Sequence, residues 1–388
     1  MSMSQQKRSI FFRVLAAFLS SFYGIGVNFR NFLFNTGFIS SKKYRLPIIS
    51  VGNITVGGTG KTPHTEMIVR MLLRSEKWGG KNVAVLSRGY KRRLKGFQIV
   101  EADGSARDFG DEPLQVKKKF PGITVAVDKN RVEGSRILSD PQSFLQSKKS
   151  RKCRTKEFEK ADVLVLDDCF QFRALRPDLS VVLVDYNRPT FKDRLLPMGR
   201  LRDLPERIAA ADALVVSKCP WEMNPWEMDK WALSLGIERY NQKECFGWRC
   251  DNGRKQYLFF TKIGYDEALP VFPEGNSRYL YSKTAVMFSG IADDTPFSEQ
   301  LRLSYKLVGH LKFGDHHKFR KSDISSIRSL ADAFPTSLII TTEKDYQRIR
   351  DCKKVPDSLR QRMFYMPIRA QFLSEDEQRV FAGLISNL

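Results

Sequence analysis

Along the chain, apolar runs of four to eight residues alternate with longer segments whose apolar positions recur every three or four residues. The runs are Leu46 to Asn53, Val83 to Ser87, Ile123 to Asp128, Val163 to Asp168, Val181 to Asp185 and Leu214 to Ser217. Each is bounded by glycine, proline or charge and lacks the polar alternation of a half-exposed strand. Such runs, separated by helix-length spacers, predict parallel strands covered on both faces, an α/β/α sandwich. From Glu238 to Phe272 the pattern is less regular, and Cys-Phe-Gly-Trp and Gln-Tyr-Leu-Phe-Phe predict a pair of linking strands. A second alternating set follows at Thr284 to Gly290, Tyr305 to Leu311, Ser337 to Thr342 and Met363 to Ile368, which predicts a smaller second α/β domain. The expected division is an amino-terminal segment 1–45, a principal domain 46–237, linking strands 238–275 and a carboxy-terminal domain 276–388. A cleft between two such units is a common place for a ligand.

The amino-terminal segment has a different pattern. Phe11, Val14, Leu15, Phe18, Phe22, Ile25, Phe29, Phe32 and Leu33 fall along one helical face, with Arg13, Ser20, Gly24, Asn28 and Asn31 mostly opposite. Gly24 and Gly26 predict a bend. The uncharged run Val14 to Phe29 is shorter than the ~20 residues of a membrane span, and Arg13 interrupts the apolar stretch a signal peptide would need. Two readings of this helix stay open on the pattern alone: docking on the protein's own core, or lying in a membrane interface.

Composition narrows the class. The chain has 388 residues, 42% hydrophobic and 28% charged, without repeats or low-complexity tracts. That is a folded globular protein of two or three domains. Six scattered cysteines without a C-x-x-C pair and only four histidines argue against a disulfide framework, a zinc site or a histidine metal cage. A net charge of +22 calls for an anionic partner, and its distribution is uneven: from Met1 to Thr65 there is no Asp or Glu. The basic stretch from Lys148 to Lys156 reads as a solvated surface loop or mobile insertion. No interleaved aromatic and basic motif of a single-strand reader is present, so nucleic acid is not expected as a partner, and no obligate protein partner is evident.

The chemistry concentrates in a few segments. Pro47-Ile-Ile-Ser-Val-Gly-Asn-Ile-Thr-Val-Gly-Gly-Thr-Gly-Lys-Thr-Pro63 joins an apolar run to a helical pattern, as a phosphate-binding loop does, although Thr55 stands where the usual spelling opens with glycine. Backbone amides of Gly57, Gly58, Thr59, Gly60, Lys61 and Thr62 could cradle phosphates at a helix amino terminus, with Lys61 neutralising them and the Thr62 hydroxyl on Mg²⁺. Ala161-Asp-Val-Leu-Val-Leu-Asp-Asp168 ends a predicted strand in paired carboxylates, as a Walker B element requires. Asp167 and Asp168 are therefore expected at the metal. Three further segments add acids, guanidinium groups and imidazoles: Gly110-Asp-Glu-Pro113, Leu196-Pro-Met-Gly-Arg-Leu-Arg-Asp203 and Phe313-Gly-Asp-His-His317. Moving a phosphoryl group to an alcohol needs a base and cations, so the inventory suits a small-molecule kinase using ATP.

Taken in order, these segments resemble the tetraacyldisaccharide 4'-kinase family, the lipid A 4'-kinases of Gram-negative bacteria. The resemblance rests on Val51 to Pro63, Ser87-Arg-Gly-Tyr90, Gly110-Asp-Glu-Pro113, Leu166-Asp-Asp-Cys-Phe-Gln171, Leu196-Pro-Met-Gly-Arg-Leu-Arg202, Gly290-Ile-Ala292, Asp315-His-His-Lys-Phe319 and Thr342-Glu-Lys-Asp345. It implies a P-loop NTPase-like α/β/α sandwich with a second, smaller α/β domain and an amino-terminal amphipathic helix. It further implies transfer of the γ-phosphate of ATP to the 4'-hydroxyl of tetraacyldisaccharide 1-phosphate, giving lipid IVA, with Mg²⁺. The work would be done peripherally at the cytoplasmic face of the inner membrane, whose anionic surface the helix would meet. By the same resemblance Asp111 is the general base and His316 its partner, chosen over His317 by motif alignment. Arg202, Tyr90 and Glu112 are substrate-side residues. Cys169 and Phe172 depart from the family's small residue and histidine, which removes any expected role for position 172.

One alternative comes from another class. Val56-Gly-Gly-Thr-Gly-Lys-Thr62 also resembles the loop of ParA and MinD switch ATPases, which cycle on DNA or membrane, but their signature lysine is Val56 here.

Overall fold

The computed structural model describes residues 3–155, 157–315, 317–350, 352 and 354–388, and for residues 3–11 and 13 the backbone alone. The apolar runs of the first half become strands β1 (Ile48–Gly52), β2 (Val83–Ser87), β4 (Thr124–Val127), β5 (Val163–Asp167), β6 (Leu179–Asp185) and β7 (Ala213–Ser217), with a two-residue β3 (Gln98–Ile99) at the edge. Nearly every position in the six is buried, because helices cover both faces. Their spatial order is β3-β4-β2-β5-β1-β6-β7, all parallel except β3. Strand β1 thus lies between β5 and β6, where consecutive connections leave in opposite directions. In open α/β sheets ligands bind at the carboxyl ends of strands at such a point.

The irregular segment from Glu238 onward forms β8 (Ile237–Asn241), β9 (Phe246–Arg249) and β10 (Lys255–Tyr265). These extend the same sheet, with β10 parallel to β7. Phe259 and Phe260, adjacent in sequence, are both fully buried, so β10 is covered on both faces like the strands before it. A second, five-stranded sheet contains β11 (Leu269–Pro270), β12 (Thr284–Ser289), β13 (Lys306–Lys312), β14 (Leu338–Thr342) and β15 (Met363–Met366) in the order β11-β15-β14-β12-β13. The chain then returns. Strand β16 (Ile368–Phe372) pairs antiparallel with β10, and the final helix Glu375–Ser386 sets Phe381 and Ile385 into the main core beside Trp78 and Phe259.

The amino-terminal helix is continuous from Met3 to Asn35, without a break at Gly24 or Gly26. Its more polar face is the one that docks. Ser20 Oγ donates to Leu195 O (3.0 Å), Tyr23 Oη to Arg202 O (2.9 Å), and Arg30 and Asn31 Nδ2 each reach the buried Asp203 carboxylate at 2.8 Å. Phe12, Val14, Leu15, Phe18, Phe22, Ile25, Phe29 and Phe32 are left exposed. This is inverted relative to a helix on a water-soluble core. No helix among the described residues is long and apolar enough to cross a membrane.

The basic stretch is not wholly solvated: Lys148–Lys152 forms a short 3₁₀ turn, Cys153 is buried, and Gln98 Nε2 donates to Lys152 O.

Candidate active site

The glycine-rich loop predicted to bind phosphate leaves the carboxyl end of β1 and enters the helix Lys61–Arg74. Gly57 and Gly60 have φ of 117° and 83°, left-handed values that L side chains rarely adopt. Thr55 needs no such freedom. It forms an antiparallel bridge with Leu201, flanked by Val56 N to Arg200 O and Arg202 N to Ile54 O, each 2.7 Å. The entry to the loop is therefore extended, which explains why a threonine can stand at the usual first glycine.

Asn53 organises the interior. Its Nδ2 donates to Thr55 Oγ1 (3.1 Å) and Thr59 Oγ1 (2.8 Å), while its Oδ1 accepts from Arg202 (2.6 Å) and Lys61 Nζ (3.5 Å). Ser217 at the end of β7 donates to Thr59 O at 2.9 Å. Below the loop, His64 bridges Gly60 O (2.7 Å) and Thr261 Oγ1 (2.8 Å), and burial pushes its imidazole down to about 4, so it is neutral. Thr62, buried, is the second residue of the helix, and Gly58 faces open space.

The parallel register of β1 and β5 sets Val51 beside Asp167, bringing the acidic pair to the base of the loop. Asp167 accepts from Ser87 Oγ (3.2 Å) and Thr65 Oγ1 (3.5 Å). Burial, followed by the charges of Glu112 and Asp168, pushes its carboxyl up to about 7. Asp168, at φ 50°, turns out of the strand to meet Arg202 at 2.9 Å and Lys61 at 3.8 Å. Burial would raise its carboxyl, but the two cations outweigh it and hold it below the usual range. Arg131, buried, donates to the carbonyls of Asp167 (3.2 Å) and Asp168 (3.4 Å) and fixes this turn.

These groups fit a hard divalent cation. Asp167 and Asp168 offer carboxylate oxygens at the base of the loop whose helix Thr62 helps to open, and a cation there would relieve the repulsion between Asp167 and its acidic neighbours. Among the described residues no group of three or more His, Cys, Asp or Glu forms a complete metal cage. Such partial ligation is what Mg²⁺ uses when waters and phosphates complete its shell.

Asp111 and Glu112 open the helix Asp111–Lys119 and meet the second unit through the helix Glu343–Ile349. Arg348 reaches Asp111 Oδ2 with Nη2 (2.6 Å) and Nε (2.8 Å), and Lys344 reaches Glu112 at 3.1 Å. Tyr90 is exposed, and its carbonyl lies over Gly110, where an added Cβ would come within 3.4 Å of it. That places the Ser87 to Tyr90 loop beside the acid pair. His316 lies outside the described residues. His317 is committed elsewhere, with Nε2 on Asp323 at 2.9 Å and its ring stacked on Phe313. Cys169 is buried and its thiol is pushed by burial up to about 12, which suits a packing residue.

The structure therefore gathers Gly57 to Thr62, Asp167, Asp168, Arg202 and Glu112 in one place, with Asp111 and Tyr90 along its rim. Sequence reasoning assigned no role to Asn53, Arg131 or Arg348. Asn53 was visible inside the loop motif; nothing local in the sequence marks the other two.

The arrangement has relatives. A family model described as tetraacyldisaccharide-1-P 4'-kinase matches residues 12–387. A protein named tetraacyldisaccharide 4'-kinase from Parabacteroides distasonis is 38% identical over 385 residues, covering 97% of this chain and 95% of that protein. Its namesake from Phocaeicola vulgatus is 37% identical over 375 residues, covering 95% and 93%. Among solved structures, one described as the "apo" form of LpxK from Aquifex aeolicus in complex with ATP superposes with a TM-score of 0.67 at 26% identity, covering 97% of this chain and 99% of that one. With a match of this length, the switch-ATPase alternative loses its basis, and the chain belongs to the tetraacyldisaccharide-1-P 4'-kinase family.

Proposed function

We propose that this protein transfers the γ-phosphate of ATP to the 4'-hydroxyl of tetraacyldisaccharide 1-phosphate, yielding lipid IVA, as a peripheral enzyme on the cytoplasmic face of the inner membrane. The observation that carries the reading is the convergence of the phosphate loop, the Asp167-Asp168 pair and Arg202 beside a helix that begins with Asp111 and Glu112.

In this reading the loop amides and Lys61 hold the β- and γ-phosphates, and Thr62, Asp167 and Asp168 hold Mg²⁺. The ion, when bound, would neutralise charge on the transferring group. Lys61 and Arg202, both within reach of Asp168, would exchange that carboxylate for phosphate oxygens. Asp111 would take the proton of the acceptor hydroxyl, with His316 as its partner, and Tyr90 and Glu112 would face the sugar. The exposed phenylalanines of the first helix would sit among lipid headgroups and acyl chains, its basic flanks meeting anionic lipid. A lipid acceptor could then be reached without extraction into water.

The test is transfer of label from γ-labelled ATP to the lipid disaccharide in mixed micelles. Lys61→Ala is expected to lower turnover by ~10²–10³-fold, the scale for losing one group that stabilises developing charge. Wild-type protein that hydrolyses ATP without labelling lipid would overturn the assignment.

A further inference from the structure

Two motifs have no part in the reaction as described: Gly290-Ile-Ala292 and Thr342-Glu-Lys-Asp345. The structure joins them in one chain of contacts that reaches Asp111. Asp345 is fully buried, and its carboxylate accepts from Gly290 N (2.8 Å), from Thr342 Oγ1 (2.7 Å) and from Arg348 Nη1 (3.0 Å). Gly290 O accepts from the same Nη1 at 3.2 Å. An added Cβ at Gly290 would lie 2.9 Å from Asp345 Oδ1, so only glycine lets the strand end approach this carboxylate. With Nη1 fixed on the second unit, the other edge of the guanidinium projects toward the first. There Nε and Nη2 both donate to Asp111 Oδ2, at 2.8 and 2.6 Å.

The rest of the helix Glu343–Ile349 aligns this contact. Lys344 pairs with Glu112 (3.1 Å), Gln347 accepts from Lys118 (2.8 Å) and Glu343 pairs with Lys119 (3.0 Å), so the two helices are matched along their length. A planar guanidinium held at one edge by a buried acid delivers its second edge in a fixed direction, which an ammonium on a flexible stem cannot do. Two donors on a single carboxylate oxygen hold that oxygen in place.

We propose that Arg348, oriented by Asp345 and Gly290, is a positioning residue that holds the Asp111 carboxylate for the acceptor hydroxyl, so the second unit completes the base. The proposal rests on the kinase reading of Asp111. In that role Arg348 would act through Asp111.

The test uses the full-length protein in the micelle assay, with Arg348→Ala, Arg348→Lys, Asp345→Asn and Asp111→Asn, and direct binding of ATP to each. Arg348→Ala is expected to lower kcat by ~10²-fold, the low end of what general-base catalysis supplies, with ATP affinity held within about twofold of wild type. Free guanidinium, below denaturing concentration, is expected to restore part of that turnover, a readout that general loosening of the fold would not give. Arg348→Lys should recover only a fraction, and Asp345→Asn should resemble a milder Arg348→Ala.

If Asp111→Asn is inactive while Arg348→Ala turns over like wild type, the positioning role is overturned and the base stands. If Asp111→Asn itself keeps wild-type turnover, the base assignment fails and the inference with it. Loss of ATP affinity and turnover together in Arg348→Ala and Asp345→Asn, with no response to guanidinium, would make the contact a structural tie and also overturn the role.

Discussion

At the scale of single residues, Asp167 makes the sharpest statement. Its carboxyl is raised from an ordinary 3.8 to about 7 by burial and then by Glu112 and Asp168, so in the metal-free fold it holds its proton far longer than in the unfolded chain. The sign follows. A raised folded value contributes stability that is fully present below the unfolded value and is lost as pH rises through the folded one. Metal-free Asp167→Asn is therefore expected to melt above wild type at about pH 8 and to converge with it near pH 4. In the proposed reading the same substitution also removes a Mg²⁺ ligand. Because the ion must displace that proton, wild-type affinity for Mg²⁺ in the presence of ATP should rise between about pH 6 and pH 8. Melting curves and titration calorimetry check the two halves, and a flat pH profile for wild type would contradict both.

The helices that carry the site depend on a buried set of charges at the scale of elements. Lys119 on the helix Asp111–Lys119 pairs with Glu66 on the helix Lys61–Arg74 (2.7 Å) and with Glu343 on the second unit (3.0 Å). Burial pushes Glu66 up to about 7, while Lys119 is raised because its two partners outweigh its own burial. Removing one partner of such a set leaves buried charge uncompensated, so Lys119→Met is expected to cost ~3–5 kcal/mol in denaturant unfolding. Adding Glu66→Gln should recover part of that loss.

The amino-terminal helix is the second element-scale case. Its docked face is tied to Asp203, while Phe18 and Phe22 stand outward, edge to face at 4.8 Å. Burying a phenylalanine is worth ~1.5–3 kcal/mol. Phe18→Glu with Phe22→Glu should thus weaken co-sedimentation with anionic vesicles by at least ~10²-fold and leave ATP binding intact. Unchanged co-sedimentation would argue against the interfacial role.

On the scale of the whole molecule, the two sheets are not consecutive beads. Strand β16 and the last helix close the main core after the chain has built the second sheet, with Trp78 Nε1 donating to Ile385 O at 3.0 Å. Truncation after Pro367 would uncover Phe259 and Trp78 and strip one edge of β10. The expected product is aggregated or molten protein, seen as loss of a cooperative melt and of a monodisperse elution profile. A stable, ATP-binding truncated form would mean that the main core closes without its last two elements.

The alternation of buried apolar runs determined most of the strands within a residue or two, because a strand covered on both faces must be apolar throughout and its ends must be polar or glycine. The placement of the glycine-rich loop after β1 and of the Asp167-Asp168 pair at the end of β5 was legible for a similar reason: each is local in sequence, a strand end followed by its own turn. The outward direction of the first helix's apolar face was not legible, since periodicity identifies a face but not what lies against it. Nor was the return of residues 368–388, whose partners are more than a hundred residues away. Arg131 and Arg348 looked like any surface arginine until packing buried them on Asp167, Asp168 and Asp111. Sequence fixes what is decided by neighbours along the chain; the surroundings of Asp111 are decided by two units meeting, and only the tertiary structure brings them together.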